Sequence, residues 1–596
     1  MRHKQFFYLL LLGLFSLSGV STYAQNVFTL KLNGVSCIQD GNTTDLYYSV
    51  PQDIQNLKVT VSYEGSDVTG FYIEDQLCAQ GSEYSLEDIG RKKSYELKVL
   101  FTDNEVAYHL MITTLPIVCL DAKGAEIIKD KRTDCGFVLI DPLKRTSTNE
   151  ALFTHKAGIK VRGASSSTYP KKSYSIELQD EQGEEVDASL LGLREDGDWI
   201  LDAMYIDHAR MRNRLCTDIW NSFNNVPHIK DEPEAHNGTR GYFVEVFLNG
   251  KYNGLYCFTE KIDRKQLKLK KYKDGFKGVS YKSNTWATPL GSGVYDKDEP
   301  IDGVTWSGLE SEYPGEEGLA GWEYLQHFID FVSPIYNKDK AYFAEELENH
   351  VCLDNIIDYI LFLNAMYAVD NPVKNMFLSV YNVQKAERFF ITPWDLDSTF
   401  GRTYDGSYLN KYAFTGEVPF SNVLFERLFE EKPCNFEERL KACWEELKQN
   451  QLSISTIEER IDNYKDLFVS SGAFSRELNL WPEKCTNIDE EAEFMKNWYR
   501  ENYSIMDAFL QKPLVGIETV RKDESSPSVK VIGNQLIIEG ATGTYTNVTI
   551  TDISGKVLLS REEVIPMTIP LPFSSVYFVK LDDRKSFAVF KIVVAD

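Results

Sequence analysis

Between Asp370 and Gly401 the chain reads DNPVKNMFLSVYNVQKAERFFITPWDLDSTFG, and this stretch limits the folds open to it more than any other. Residues 353–368 just before it repeat apolar side chains at Ile356, Ile357, Ile360, Leu361 and Leu363, the spacing of a buried helix. Residues 376–381 then read as a strand, 384–386 as its turn and 388–392 as the antiparallel partner, because β-prone apolar residues flank a short polar break. A hairpin brings its outer ends together. Asn375 and Asp395 lie equally far from a turn centred on Lys385, so Asp370, Asn375, Asp395 and Asp397 are expected to converge at one end. Asp395 and Asp397 are two apart and so share a face of an extended segment. Three acids and an amide gathered in this way repel one another unless they share a cation. An all-oxygen set without His or Cys suits Mg²⁺ or Mn²⁺ rather than zinc.

With 596 residues the chain exceeds one core, and its length points to roughly three to four domains. Acidic residues outnumber basic ones 89 to 64, a formal charge of -25, which opposes general attraction to nucleic acid or anionic membranes. Arg2, His3 and Lys4 precede an apolar run over residues 6–15, and small residues lead to Ala24, the layout of a secretory signal peptide cleaved after that residue. That region has no Cys for a lipid anchor and no later apolar run reaches membrane-spanning length, so a secreted, cell-surface or periplasmic protein is expected. The 10 cysteines lack the short paired spacing of a zinc site. Export permits disulfides, with Cys37–Cys78 and Cys434–Cys443 as candidate pairs.

Both ends of the chain alternate with period two. Phe28, Leu30 and Leu32, then Leu57, Val59 and Val61, then Tyr95, Leu97, Val99 and Phe101 imply a small antiparallel β-sandwich of immunoglobulin-like size, read as a spacer or binding module. Near the other end Val529 and Val531, Leu536 and Ile538, Val548 and Ile550, Val576 and Phe578, and Ile592 and Val594 alternate likewise. With the DISGK turn from Asp552, this part resembles the C-terminal β-sandwich that Bacteroidetes append to exported proteins and the type IX secretion machinery reads. Between them, strands at 158–162 and 173–178 and a hairpin turning on Asn249 and Gly250 precede helical periodicity at 423–447, 454–468 and 490–510. A β-rich half followed by a helical half gives an α+β domain with a cleft between them.

Asp370 and Asn375 are five apart, the spacing of the catalytic Asp and metal-holding Asn in a kinase catalytic loop. A hairpin and an acidic pair follow in the kinase order, although Asp395-Leu-Asp397 stands where kinases have Asp-Phe-Gly. Further motifs appear in order: KVRGASSS from Lys160, YPKKSY from Tyr169, LLGL from Leu190 with Asp198 and Trp199, MRN from Met211, EVFLNG from Glu245, GLY from Gly254 with TEKID from Thr259, and PWDLD from Pro393. Together they resemble the spore-coat protein H (CotH) kinase family. The resemblance implies an atypical kinase fold that binds ATP with Mg²⁺ or Mn²⁺ and phosphorylates Ser of secreted or coat proteins. It implies Asp370 as the catalytic carboxylate and Asn375 and Asp395 as metal ligands, with Asp397 a second ligand or a turn-stabilising residue. It also implies Lys172 as the lysine on the ATP phosphates, with Arg162, Ser165 and Ser166 nearby; Glu260 and Glu245 stand as alternative partners for Lys172. Arg212 and Asn213 are expected to orient that serine loop or to bond a helix end, and Trp394 to pack in a core.

The expected organisation is a signal peptide over 1–24, an immunoglobulin-like sandwich over 25–114, a CotH-like kinase domain over 115–515, a linker over 516–527 and a sorting-like β-sandwich over 528–596. The expected function is an exported kinase acting on Ser or Thr of a protein, itself included. A glycan kinase and a non-catalytic surface adhesion or assembly protein on the same scaffold are the alternatives.

Overall fold

The computed structural model describes residues 28–144, 152–223, 225–297, 299, 303–316, 319–409, 412–413, 422–484, 487–512, 528–532, 535–539, 545–552, 557–564, 567–571, 576–582 and 587–593. The expected leader over 1–24, the linker over 516–527, most of the turn at 552–556 and Cys485 lie outside them. Contacts divide the chain into two compact units, residues 1–514 and 515–596.

The first unit opens with two sheets, one built on Phe28–Leu32, Leu57–Gly65 and Glu83–Leu86, the other on Asp45–Ser49, Val68–Ile73, Ser94–Phe101 and Glu105–Thr113. Alternation sends Phe28, Leu30, Leu32, Val59, Val61, Tyr95, Leu97, Val99 and Phe101 into one shared core, as their spacing requires. This sandwich is not a free spacer. The Ser49 hydroxyl donates to the Leu115 carbonyl at 2.7 Å, and Tyr47 is buried in one cluster with Ile117, Ile140 and Phe247 of the next layer.

That layer is a barrel. Seven strands, Ile117–Asp121, Thr133–Ile140, Leu152–Arg162, Ser173–Gln179, Asp198–Asp202, Lys251–Thr259 and Gly241–Leu248, close when the first pairs in parallel with the last. Ile159, Ile176, Trp199, Leu201, Val244, Tyr256 and Phe258 fill it. Arg162 pairs with Ser173, so residues 163–172 form a connection at the rim. Asn249 at φ 51° and Gly250 at φ 75° are both left-handed and so supply the two-residue hairpin turn.

The helical half surrounds a five-stranded sheet that ends in Val279–Ser283, Met376–Asn382 and Ala386–Pro393. Its central helix, Leu353–Met366, buries every residue except Asp354. It stops two residues earlier than the apolar pattern implies, because Tyr367 turns left-handed at φ 48° and closes the helix. The single helix expected over 423–447 is corrected to two, Val423–Glu431 and Phe436–Leu447. Lys432 is left-handed there and Pro433 has no N–H to carry the helix on.

The expected disulfides are also corrected. The Cys78 thiol donates to the Gln76 carbonyl, Cys434 to the Ala344 carbonyl and Cys443 to the Asp358 carboxylate at 3.0 Å, so neither candidate pair is joined. In the second unit two sheets share a core of Leu536, Ile538, Val548, Ile550, Tyr577, Val579 and Leu581. Phe578, expected inward, is exposed instead, since both phases of the strand Val576–Asp582 are apolar and a one-residue slip exchanges its faces. Among the described residues no helix is long and apolar enough to cross a membrane.

Buried ion pairs fasten the two halves of the first unit. Arg212 reaches Asp207 at 2.6 Å and Glu491 at 2.6 Å, and Arg402 shares Glu491 through its Nε at 3.0 Å. Burial works to raise Glu491, but Arg212 and Arg402 outweigh it and hold the carboxyl below its ordinary range. Replacing Glu491 by Gln leaves two buried guanidinium groups short of a counter-charge, so urea unfolding is expected to show a loss of about 3–5 kcal/mol. The wild-type contribution of this carboxylate is present above the ordinary Glu range and is lost as pH falls through its lowered folded value. A Glu491→Gln chain as stable as wild type at neutral pH would contradict the assignment.

Candidate active site

The hairpin does gather its outer ends, with one change of register. Met376 pairs with Pro393, so Asn375 faces Trp394 and Asp395 lies one step beyond, not directly opposite. The turn is 383–385, one residue earlier than its polar break implies. The Trp394 N–H donates to the Asn375 carbonyl at 2.9 Å, and the fully buried Asn371 donates from its amide to the carbonyls of Asn375 and Trp394 at 2.9 and 2.7 Å. Asn375 at φ 54° and Asp395 at φ 58° are both left-handed. Such a conformation costs a non-glycine residue about 1–3 kcal/mol and persists only where neighbours enforce it. Asn371 is that neighbour.

Asp370, Asn375, Asp395 and Asp397 all line one cavity of about 760 Å³ between the barrel and the helical half. Lys374, four residues after Asp370, extends its ammonium to the Asp370 carboxylate at 3.1 Å. Asp202, at the end of a barrel strand, joins from the other side. Its carboxylate accepts from the Met204 N–H at 3.1 Å and from the Asn213 amide at 2.9 Å. The same Asn213 side chain accepts from the Leu396 N–H at 3.1 Å, so one amide ties Asp202 to the Asp395–Asp397 segment. Arg212 donates to the Thr399 carbonyl at 3.1 Å. Arg212 and Asn213 thus hold the acidic loop rather than the serine loop.

Carboxylates held together in a cleft resist ionising. Burial, then the charge of Asp202, raises Asp395 above the ordinary carboxylate range, while Arg162 and Lys374 work against the rise. Asp397 is pushed further up by burial and by Asp395, Asp202 and Asp207. A divalent cation among these oxygens would relieve that repulsion, and the donor set of carboxylates and one amide fits a hard ion. Among the described residues, three carboxylates with oxygens all within 4.8 Å of one another occur at Glu185, Asp187 and Asp196, not in the cavity. There Lys265 already meets Asp196 at 3.0 Å and Asp187 at 3.1 Å. The wider spacing of the cavity acids leaves room for other oxygens around an ion, as Mg²⁺ requires.

The barrel side brings a cation: Arg162 lines the cavity with its guanidinium 5.5 Å from the centre of the Trp394 ring, while Lys282, on the strand beside the hairpin, lies 6.0 Å from the same ring. Trp394 packs edge-on against Phe377 as expected of a core residue, and its ring also meets these cavity cations. Ser165 and Ser166 line the cavity from a short helical turn, Ser165–Thr168. Gly163, at φ +103°, admits the turn: a Cβ there would stand 2.0 Å from the Ser166 hydroxyl oxygen.

The two adjacent lysines point in different directions. Lys172 points its ammonium at the Ser167 carbonyl, 2.9 Å away, and is not part of the cavity lining; Lys171 is. Lys171 donates to the Leu255 carbonyl at 2.5 Å and to Glu477 at 2.7 Å. Glu477 also accepts from Arg210 Nε at 2.8 Å and from the Leu255 N–H at 2.9 Å. Burial works to raise Glu477, but Lys171 and Arg210 prevail and hold it below its ordinary range. Neither candidate partner of Lys172 pairs with it: Glu260 takes Arg240 at 2.9 Å, and Glu245 takes Arg476 at 2.8 Å. The sequence did carry a signal for Lys171. It shares strand parity with Ser173 and Ser175, while Lys172 shares that of the core residues Tyr174, Ile176 and Leu178. Asp202, Lys374 and Glu477 had no such signal.

The comparisons with known proteins cover this region. A model of the family described as CotH kinase protein matches residues 159–506, more than half of the chain. Inner spore coat protein H of Bacillus subtilis (strain 168) is 26% identical over 306 residues, which make up 51% of this chain and 74% of that protein. The matched span contains the rim loop after Arg162, the hairpin and every cavity residue from Asp202 to Asp397. On that match, the chain belongs to the CotH kinase family.

Proposed function

We propose that this chain is an exported atypical kinase that transfers the γ-phosphoryl group of ATP to a hydroxyl, with Ser or Thr of a secreted or surface protein as acceptor. The observation that carries the reading is a single cavity in which the Asp370–Lys374 pair and the left-handed Asn375 and Asp395 stand across from Arg162 and Lys171. Asp370 accepts the acceptor's proton, and Lys374 holds its carboxylate in one orientation. Mg²⁺ or Mn²⁺, held by Asn375 and Asp395 with Asp397 beside them, would neutralise charge on the phosphate oxygens.

The role that resemblance gives to Lys172 passes to Lys171. Lys171 lines the cavity with its ammonium held in place by Glu477, a fixed point charge suited to an anion. Arg162 adds a second cation, and the serine turn brings the backbone close to the same space. Phosphoryl transfer asks little covalent chemistry of the protein, so positioning and charge neutralisation are what these residues supply. The basic N-terminal run and the apolar stretch after it fit an acceptor outside the cytoplasm, as does the relative named as a spore coat protein.

Protein lacking residues 1–24, incubated with labelled ATP and Mn²⁺ or Mg²⁺, is expected to label itself or casein. Asp370→Asn and Asp395→Ala should each lower the rate at least about a hundredfold, the scale of a lost general base or charge stabiliser. Absence of both transfer and metal-dependent nucleotide binding by calorimetry would leave the non-catalytic scaffold in its place. In the same calorimetry Lys172→Ala should keep nucleotide affinity within about twofold, whereas Lys171→Ala should weaken it at least about tenfold and lower the melting temperature by breaking a buried pair. The reverse pattern would return the phosphate role to Lys172.

A further inference from the structure

We infer that the N-terminal β-sandwich is a working part of the catalytic unit, in which Tyr47 and Arg476 act as positioning residues that set Glu477, and through it Lys171, at the cavity wall. The inference rests on the reading of Lys171 as an anion-binding group. The residues that make the brace, Asp40, Tyr47 and Lys93, precede the span matched to the family.

The sandwich grips both halves of the domain. Toward the barrel, the Gly41 N–H donates to the Gly250 carbonyl at 2.7 Å and Asp40 accepts from the Tyr252 N–H at 2.8 Å. The Tyr47 ring stacks on Tyr252 at 5.2 Å and meets the edge of Phe247 at 5.1 Å. Toward the helices, Lys93 donates to the Ser470 carbonyl at 2.5 Å, and the Arg476 guanidinium lies 5.6 Å from the centre of the Tyr47 ring.

Arg476 closes the circuit. It forks onto Glu245 with two bonds of 2.8 Å, and the Tyr252 hydroxyl donates to the same carboxylate at 2.6 Å. Arg476 and Glu477 are consecutive on the helix Ala473–Leu480. A helix of eight residues has little stability of its own and keeps its place through what holds it. Displacing Arg476 therefore displaces Glu477, the carboxylate that holds Lys171. The fit is close on the barrel side too: Gly254, at φ +107°, faces Glu477, and a Cβ there would lie 2.4 Å from its Oε2.

The test measures how fast an amine-acylating reagent labels each lysine of the full chain, read by mass spectrometry well below the melting temperature. In wild type Lys171 is buried and is expected to label slowly. Tyr47→Ala is expected to speed its labelling at least about tenfold, because labelling follows the population of locally opened molecules. Lys374 should label as in wild type, and Tyr47→Phe, which keeps the ring, should restore the slow rate at Lys171. Labelling of Lys171 at the wild-type rate in Tyr47→Ala overturns the inference, as does equal acceleration at Lys171 and Lys374, which would mean general loosening. Should Tyr47→Ala fail to fold, Asp40→Ala, which removes the bond to Tyr252, is judged by the same two outcomes. No nucleotide is needed, so a chain that proves unable to bind ATP still decides the matter. Faster labelling with unchanged nucleotide affinity would keep the brace and refute the phosphate role of Lys171 instead.

Discussion

A charge withdrawn from water must be met by an opposite charge and by hydrogen bonds, or the group gives up its charge. The two halves of this domain meet that demand in different ways. On the barrel side the cations Lys171 and Arg210 are satisfied by one buried carboxylate, Glu477. On the helical side Asp395 and Asp397 have only partial compensation and are pushed above their ordinary range by burial and by one another. These incompletely neutralised acids face Arg162 and Lys171 across the cavity, the charge arrangement that the proposed metal-bound polyphosphate would need.

Holding that arrangement takes amides rather than more charge. Asn371 pins the open end of the hairpin, and Asn213 joins Asp202 to the acidic loop. Neutral side chains can donate and accept at once, which lets them fasten strained backbone without adding to the repulsion. Arg212, Arg402 and Glu491 then anchor the same loop to the helix Ile488–Leu510. The sandwich at the N-terminus extends this logic to the other wall through Arg476.

Much of this was legible in the sequence where local pattern decides. The hairpin, its acidic end and the alternation of the first sandwich follow from period-two spacing, and the Asn249 and Gly250 turn from its backbone needs. What was misread lies where two phases of a pattern compete or where partners are remote. The turn at 383–385 shifts the register by one, and Phe578 and Tyr577 are both apolar on one strand. Glu477 lies 306 residues from Lys171 and entered the site only when the chain folded. The candidate disulfides failed for the same reason: nearness in sequence did not decide what each thiol meets.

The central claim is that the hairpin's open end is a metal site for nucleotide chemistry. Its most direct measurement is anomalous diffraction from crystals of this protein grown with Mn²⁺ and a non-hydrolysable ATP analogue. The account predicts a manganese peak within ligand distance of Asn375 and Asp395, with the phosphates on the side of Lys171 and Arg162. A peak at Glu185, Asp187 and Asp196 with none at the hairpin, or phosphates held away from that wall, would contradict it.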